Sequence, residues 1–331
     1  MMKHHSAACM LATAVLIAVS AAVMPAASPP RSNSTPNQAH DPEIAKRGLD
    51  LMMNGELDAS IEVFRKIQKD DPDSPLGYLL EADADWWKIY LTEGNLVDPD
   101  VFESVSETIT PYDADFNRLQ ALALQKAESR LHAPQDQAQS CLYEGLAYAL
   151  RARLEALRDR ALATARDGKK MRSLMLNAVK LDPHLSDAYL GIGLYNYFVD
   201  TLPGYVKVLR FLILLPGGSR EVGLEQLQEA AQKGELTRNE AKFHLAKDYS
   251  RPIEHQYAKS LALFQELAAD YPRHPLWKLL VGSLEIRLGR PQRGEALYQE
   301  VIRETAEMKS DVGQSIHQQA QKALERRHPA L

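Results

Sequence analysis

Residues 48–72 read GLDLMMNGELDASIEVFRKIQKDDP, and the spacing within this stretch decides the fold class. From Gly48 the small residue Ser60 falls twelve places on, Phe64 four beyond it, Ile67 three beyond that, and Pro72 closes the stretch. Steps of three and four mark one face of an α-helix. Asn54-Gly55 supplies a turn between two such runs, and Pro72 cannot continue a helix. The stretch therefore predicts two helices that meet at Gly48. The register recurs twice. Met171, Met175 and Ala178 precede Pro183 at the offsets at which Ser60, Phe64 and Ile67 precede Pro72, and Tyr189, Ile192 and Gly193 follow. Ser260, Phe264 and Leu267 precede Pro272 in the same way, with Gly282 ten residues beyond that proline, then Tyr298 and Val301.

Three registers at one spacing resemble the tetratricopeptide repeat, a 34-residue helix pair with small residues at the helix contact, an aromatic in the second helix and a closing proline. The resemblance implies an all-α, right-handed helical solenoid over residues 42–327. Gly48, Gly193 and Gly282 let two backbones approach, Phe64, Phe264 and Tyr298 fill the gap to the next unit, and Pro72, Pro183 and Pro272 end units. Gly191 points to another side of its helix than Gly193. The array is irregular: residues 75–94, 113–132 and 140–166 each predict one longer helix, and residues 95–165 depart furthest from the period.

A narrower resemblance covers residues 188–231, AYLGIGLYNYFVDTLPGYVKVLRFLILLPGGSREVGLEQLQEAA. Gly193, Leu202-Pro203, the apolar run Val206 to Leu215, Gly217-Gly218 and Arg220-Glu221-Val222-Gly223-Leu224 are similar to the signature region of the fungal inclusion-body-clearance proteins and their animal relatives, the tetratricopeptide repeat domain 39 proteins. Ser219 departs from it, standing where that family carries an acidic residue. The resemblance implies a helical repeat fold with adaptor or membrane-associated roles and carries no enzymatic activity with it.

The chain begins with Lys3, an uncharged run from Ala7 to Met24 and small residues at Ala26, Ala27 and Ser28. That order is the order of a signal peptide, cut after Ala22 or after Ala27, or retained as an anchor. Residues 1–27 are therefore expected to direct export to the periplasm or beyond, and the polar, proline-rich residues 28–41 to form a linker. With 39 basic and 44 acidic side chains the net charge of −5 offers no surplus for a phosphate backbone, so nucleic acid is not an expected partner. Once residues 1–27 leave, Cys141 is the one thiol; no intramolecular disulfide can form, and it reads as a small buried hydrophobe.

No catalytic signature is present, and neither a metal nor a cofactor is expected. His244 and Asp248 lie one turn apart but lack a third ligand, and Asp83 and Asp85, two apart on a helix, point to different faces. The candidate partner-binding residues are Trp86, Trp87 and Tyr90 on one helix, and Tyr195, Tyr197, Tyr205, Lys207 and Arg210 around the signature. Trp and Tyr are enriched in binding hot spots, although at helical spacing they also build cores. Trp86 and Trp87, being adjacent, cannot share a face. Residues 204–215, bounded by Pro203 and Pro216, predict a short inserted apolar helix of about 18 Å, too short to span a bilayer. Its place is a groove of the solenoid, a membrane surface reached through Lys207 and Arg210, or a cover over a ligand. The expected function is a non-catalytic scaffold of the cell envelope that captures a protein or peptide on its concave face. The alternative is a carrier of a lipid or other apolar small molecule in a cavity near residues 189–215.

Overall fold

The computed structural model describes residues 41–97, 105–131, 136–202 and 215–327. The expected targeting segment, nearly all of the linker, Tyr205, Lys207, Arg210 and the apolar segment as far as residue 214 lie outside them. The described residues form thirteen α-helices and no strand: α1 (Asp41–Met53), α2 (Leu57–Asp70), α3 (Leu76–Glu93), α4 (Asp113–Arg130), α5 (Gln137–Leu157), α6 (Ala161–Leu181), α7 (Ala188–Thr201), α8 (Arg220–Lys233), α9 (Arg238–Ser250), α10 (Tyr257–Asp270), α11 (Pro275–Arg287), α12 (Pro291–Thr305) and α13 (Asp311–Glu325). The all-α fold class is thus observed.

Each helix packs on the next along the whole chain, and α1, α3, α5 and α7 also touch in order, so odd-numbered helices form a layer of their own. α2 shows why. Its buried residues Leu57, Ile61, Phe64 and Ile67 fall on one stripe, and the stripe is hidden only when a neighbour covers it. Small residues set the approach. A Cβ on Gly48 would overlap the Phe64 ring, one on Gly282 would come within 2.9 Å of the Tyr298 ring, and one on Gly193 within 2.9 Å of the Gly223 carbonyl oxygen and the Leu227 side chain. Gly191 is as crowded, but on the other side, where a Cβ would overlap the Met175 thioether of α6.

The junctions at Pro72 and Pro183 share one device. The Asp71 carboxylate accepts the backbone N–H of Asp73 and Ser74 at 3.2 and 3.1 Å, and Asp182 accepts that of His184 at 2.9 Å. Each turn so holds the chain after its helix has ended.

The single helix expected over residues 140–166 is two helices. The chain turns after Leu157, where Asp159 takes φ 55°. Arg160 N–H bonds the Glu155 carbonyl at 2.8 Å and Asp159 N–H that of Ala156 at 3.0 Å. The same pair of bonds closes α1 around Gly55 (φ 83°) and α11 around Gly289 (φ 77°). This is the helix stop built on a left-handed residue, usually glycine. Here aspartate occupies it, and the neighbouring Arg158 clamps the turn by binding both Asp113 oxygens at 2.9 and 2.8 Å and the Ser106 carbonyl at 2.7 Å.

The two ends of the described chain meet. The Trp277 indole donates to the Met53 carbonyl at 2.9 Å, Tyr271 hydroxyl donates to Asp50 at 2.8 Å, and Arg273 N–H to Asn54 at 3.1 Å. Gln319 on α13 accepts from Leu96 N–H at 2.7 Å and donates to the Gly94 carbonyl at 3.0 Å, seating α13 beside α3.

Two substitutions check this account. Asp159 is exposed, so Asp159→Gly relieves backbone strain at little other cost and should stabilise the chain by about 0.5–1 kcal/mol, a rise of a few degrees in Tm. A lowered Tm would show that the side chain, not the backbone, holds this turn. Gly193→Leu meets backbone atoms that cannot yield and should cost about 1–3 kcal/mol or more. Gly168→Ala is the control, since its nearest neighbour is the Tyr195 ring at 3.8 Å; it should gain up to about 1 kcal/mol. Circular-dichroism melts that ranked Gly193→Leu with Gly168→Ala would contradict the assigned α7–α8 contact.

Candidate functional site

The closure gathers side chains from distant parts of the chain into the space that the odd-numbered helices share. Trp87 of α3 is buried and packs on Phe243 of α9 at 5.1 Å between ring centroids and on Trp277 of α11 at 6.2 Å. Phe243 also meets Tyr90 at 6.0 Å, Phe264 at 6.2 Å and Trp277 at 6.1 Å, mostly edge-on. Edge-to-face pairs of this kind add about 0.5–1.5 kcal/mol each beyond burial. Trp86 turns the other way, half-buried, and stacks on Tyr90 at 6.1 Å.

Beside the rings lies a buried ionic group. Arg153 of α5 binds Glu240 of α9 and lies 3.8 Å from Asp83 of α3, while His244 Nε2 is 3.7 Å from Glu240. The three helices are thus tied through one guanidinium. Although desolvation pushes Glu240 upward, Arg153 and His244 outweigh it and hold its carboxyl down at about 2. For Asp83, burial and the nearby Glu240 charge win, and its carboxyl is held well above the usual range. The two carboxyls are thus driven in opposite directions by the same neighbours. His244 is kept neutral by burial. On the far face of α3, burial lifts Asp85 to about 7. Asp83 and Asp85 do point apart, as their spacing requires.

The second set of predicted residues sits further along α7. Tyr195 is buried, donates to the Pro216 carbonyl at 2.8 Å and carries Arg172 over its ring at 5.2 Å. Tyr197 is fully buried, its hydroxyl reaches the Asp248 carbonyl at 3.5 Å, and Arg251 lies over its ring at 5.4 Å. α9 runs between the two sets, offering Phe243 and His244 to one and Asp248 to the other. His244 and Asp248 therefore serve different neighbourhoods, and among the described residues no group of three metal-ligating side chains occurs. Ser219, the departure in the signature region, caps α8 by accepting the Val222 N–H at 3.3 Å. Cys141 is buried, accepts the Asn177 amide at 3.2 Å, and has its thiol pushed up by desolvation.

Sequence reasoning did not single out Phe243, Trp277, Arg153, Glu240 or His274. They are scattered over α5, α9 and α11, and only closure brings them together. A signal was present in part: Arg153 interrupts a helix face of Leu146, Leu150 and Leu157, and a buried charge needs a partner. Compared with known protein families and with curated proteins, the chain matches none.

His274 makes the closure sensitive to pH. Its Nδ1 accepts the Leu276 N–H at 3.4 Å, its ring lies 5.2 Å from that of Trp277, and burial holds its pKa down to about 3. The folded state keeps the imidazole neutral, whereas the unfolded chain takes up a proton below pH ~6.5. Stability from this group is whole above that pH and falls by about 1.4 kcal/mol per unit below it, until the folded pKa is reached. His274→Asn keeps an acceptor at the helix start without titrating. Between pH 6.5 and 4.5 the parent's Tm should fall more steeply than the variant's; parallel curves would refute the assignment.

Proposed function

We propose that the chain is a non-catalytic binding scaffold of the cell envelope, built from right-handed tetratricopeptide-like helix pairs and exported by its N-terminal segment. Support for the repeats comes from the recurring contact of a glycine in one helix with the next: Gly48 with Phe64, Gly193 with Leu227, Gly282 with Tyr298. The observation that carries the scaffold reading is that the charged and aromatic groups inside the closure face one another. Arg153, Glu240 and Asp83 face one another, and Trp87, Phe243 and Trp277 pack together, so the interior works as a frame. Trp86 and Tyr90 remain partly exposed at its margin, where a protein or peptide segment could engage them.

A carrier of an apolar ligand near residues 189–215 is the weaker reading. Tyr195 and Tyr197 direct their rings and hydroxyls to Arg172, Pro216, Arg251 and Asp248, which leaves them little to offer a ligand.

Photo-cross-linking from single positions on the folded chain in envelope extracts tests the scaffold. Residues replaced in turn by a photoreactive amino acid should include Trp86 and Lys169, one on each face. A partner recovered reproducibly from one face and not the other supports the reading. No specific adduct from any exposed position under several growth conditions would refute it.

A further inference from the structure

The outer face of α6 combines exposed leucines with lysine and arginine. Beyond its first residue, the exposed Ala161, its exposed residues are Leu162, Arg166, Lys169, Lys170, Ser173, Leu176, Asn177, Lys180 and Leu181. At 100° per residue these positions fall within an arc of about 140° and extend over about 28 Å. Leu162 is 75% exposed, Leu181 45% and Leu176 40%. Four cations accompany them and no exposed acid does: the helix's one carboxylate, Asp167, is buried and bound by Arg151 at 2.6 and 2.9 Å, with Arg166 3.8 Å from it. Lys170 lies 3.5 Å from the buried Glu144 of α5, which leaves Lys169 and Lys180 as the cations of this face with no ion-pair partner among the described residues. Lys170 and Arg151 also flank the Tyr148 ring at 5.8 and 4.8 Å. The face begins beside a cleft of about 490 Å³ whose lining includes Ile109, Leu154, Arg158 and Arg160, and Ile109 is itself 79% exposed.

We infer that this face is a docking surface for an acidic, leucine-bearing helical segment of a partner protein. The inference rests on the scaffold reading and gives it a place and a chemistry. Charge sets the sign of the occupant: the chain as a whole is net negative at −5, yet this stripe of lysine, arginine and leucine carries no negative side chain. Cations at this density steer and orient an anionic partner, and three exposed leucines along a helix match the anchors of an amphipathic segment. The neighbouring surface separates a narrow segment from a flat anionic membrane. α4 exposes Asp115 and Glu128, and α8 exposes Glu221 and Glu225. A bilayer lying across this side would meet those carboxylates, whereas one helix laid along α6 avoids them.

The probe is a labelled synthetic 20-residue helical peptide with leucine on one face and glutamate on both flanks, read by fluorescence anisotropy against the mature chain. It should bind, weaken as salt is raised, and lose about tenfold or more in affinity with Lys169→Glu/Lys180→Glu and with Leu176→Ser. Lys309→Glu, an exposed reversal at the opposite end of the chain, should leave binding unchanged, and the peptide with glutamine for glutamate should not bind. Circular dichroism checks that these exposed-site variants fold. Failure of the parent to bind the peptide, equal binding by the charge-reversal variant, or binding of phosphatidylglycerol vesicles in place of the peptide would each overturn the inference. A cross-linked envelope partner that maps to Trp86 and not to Lys169 would also overturn it while leaving the scaffold standing.

Discussion

The bond from the Trp277 indole to the Met53 carbonyl is the constraint on which the remainder of the structure depends. Met53 ends α1, and the last carbonyls of a helix have no partner within it. Trp277, fully buried, supplies the missing donor from the other end of the chain. Around it, Tyr271 reaches Asp50, Arg273 reaches Asn54 and Glu56, and the His274 ring lies against Gly55. A turn that ordinarily faces water is thereby made an internal surface. Once these turns are joined, the odd-numbered helices have nowhere to send large side chains except toward one another, which is why Trp87, Phe243 and Trp277 converge.

A charged group in such a place must be accounted for by geometry. Burying an ion pair gains little net stability, because desolvation offsets the attraction, yet removing one partner typically costs about 3–5 kcal/mol. Arg153 lies under that rule. Its guanidinium joins α5 to Glu240 on α9 and faces Asp83 on α3, so a shift of α5 against α9 strands a charge. Burial and the Glu240 charge push the Asp83 carboxyl well up, against the pull of Arg153. The arrangement holds register, and its specificity comes from the cost of the alternatives.

Much of this was legible in the sequence where the cause is local. Gly48, Phe64 and Pro72 encode a helix contact, a space-filling ring and a stop within 25 residues, and the same encoding recurs around Pro183 and Pro272. The break after Leu157 was not legible, because Asp159 takes a backbone conformation that glycine at 55 and 289 advertises and aspartate does not. Gly191 hid its role for another reason: its crowding comes from Met175 on the preceding helix, while the pattern weighs only the helix that follows. The interior group was least legible of all. Arg153 and Glu240 are 87 residues apart, and nothing in either helix's period says that they meet.

Closure also bears on how such a chain can change over evolutionary time. An open stack of helix pairs tolerates the gain or loss of a unit, since each contacts only its neighbours. Here the turn after α1 is matched to the turn before α11, and α13 to the end of α3. Duplicating or deleting one pair between them would carry Trp277 past Met53 by the width and rotation of a whole unit. The number of helices between the matched ends is therefore constrained by the contacts that join those ends.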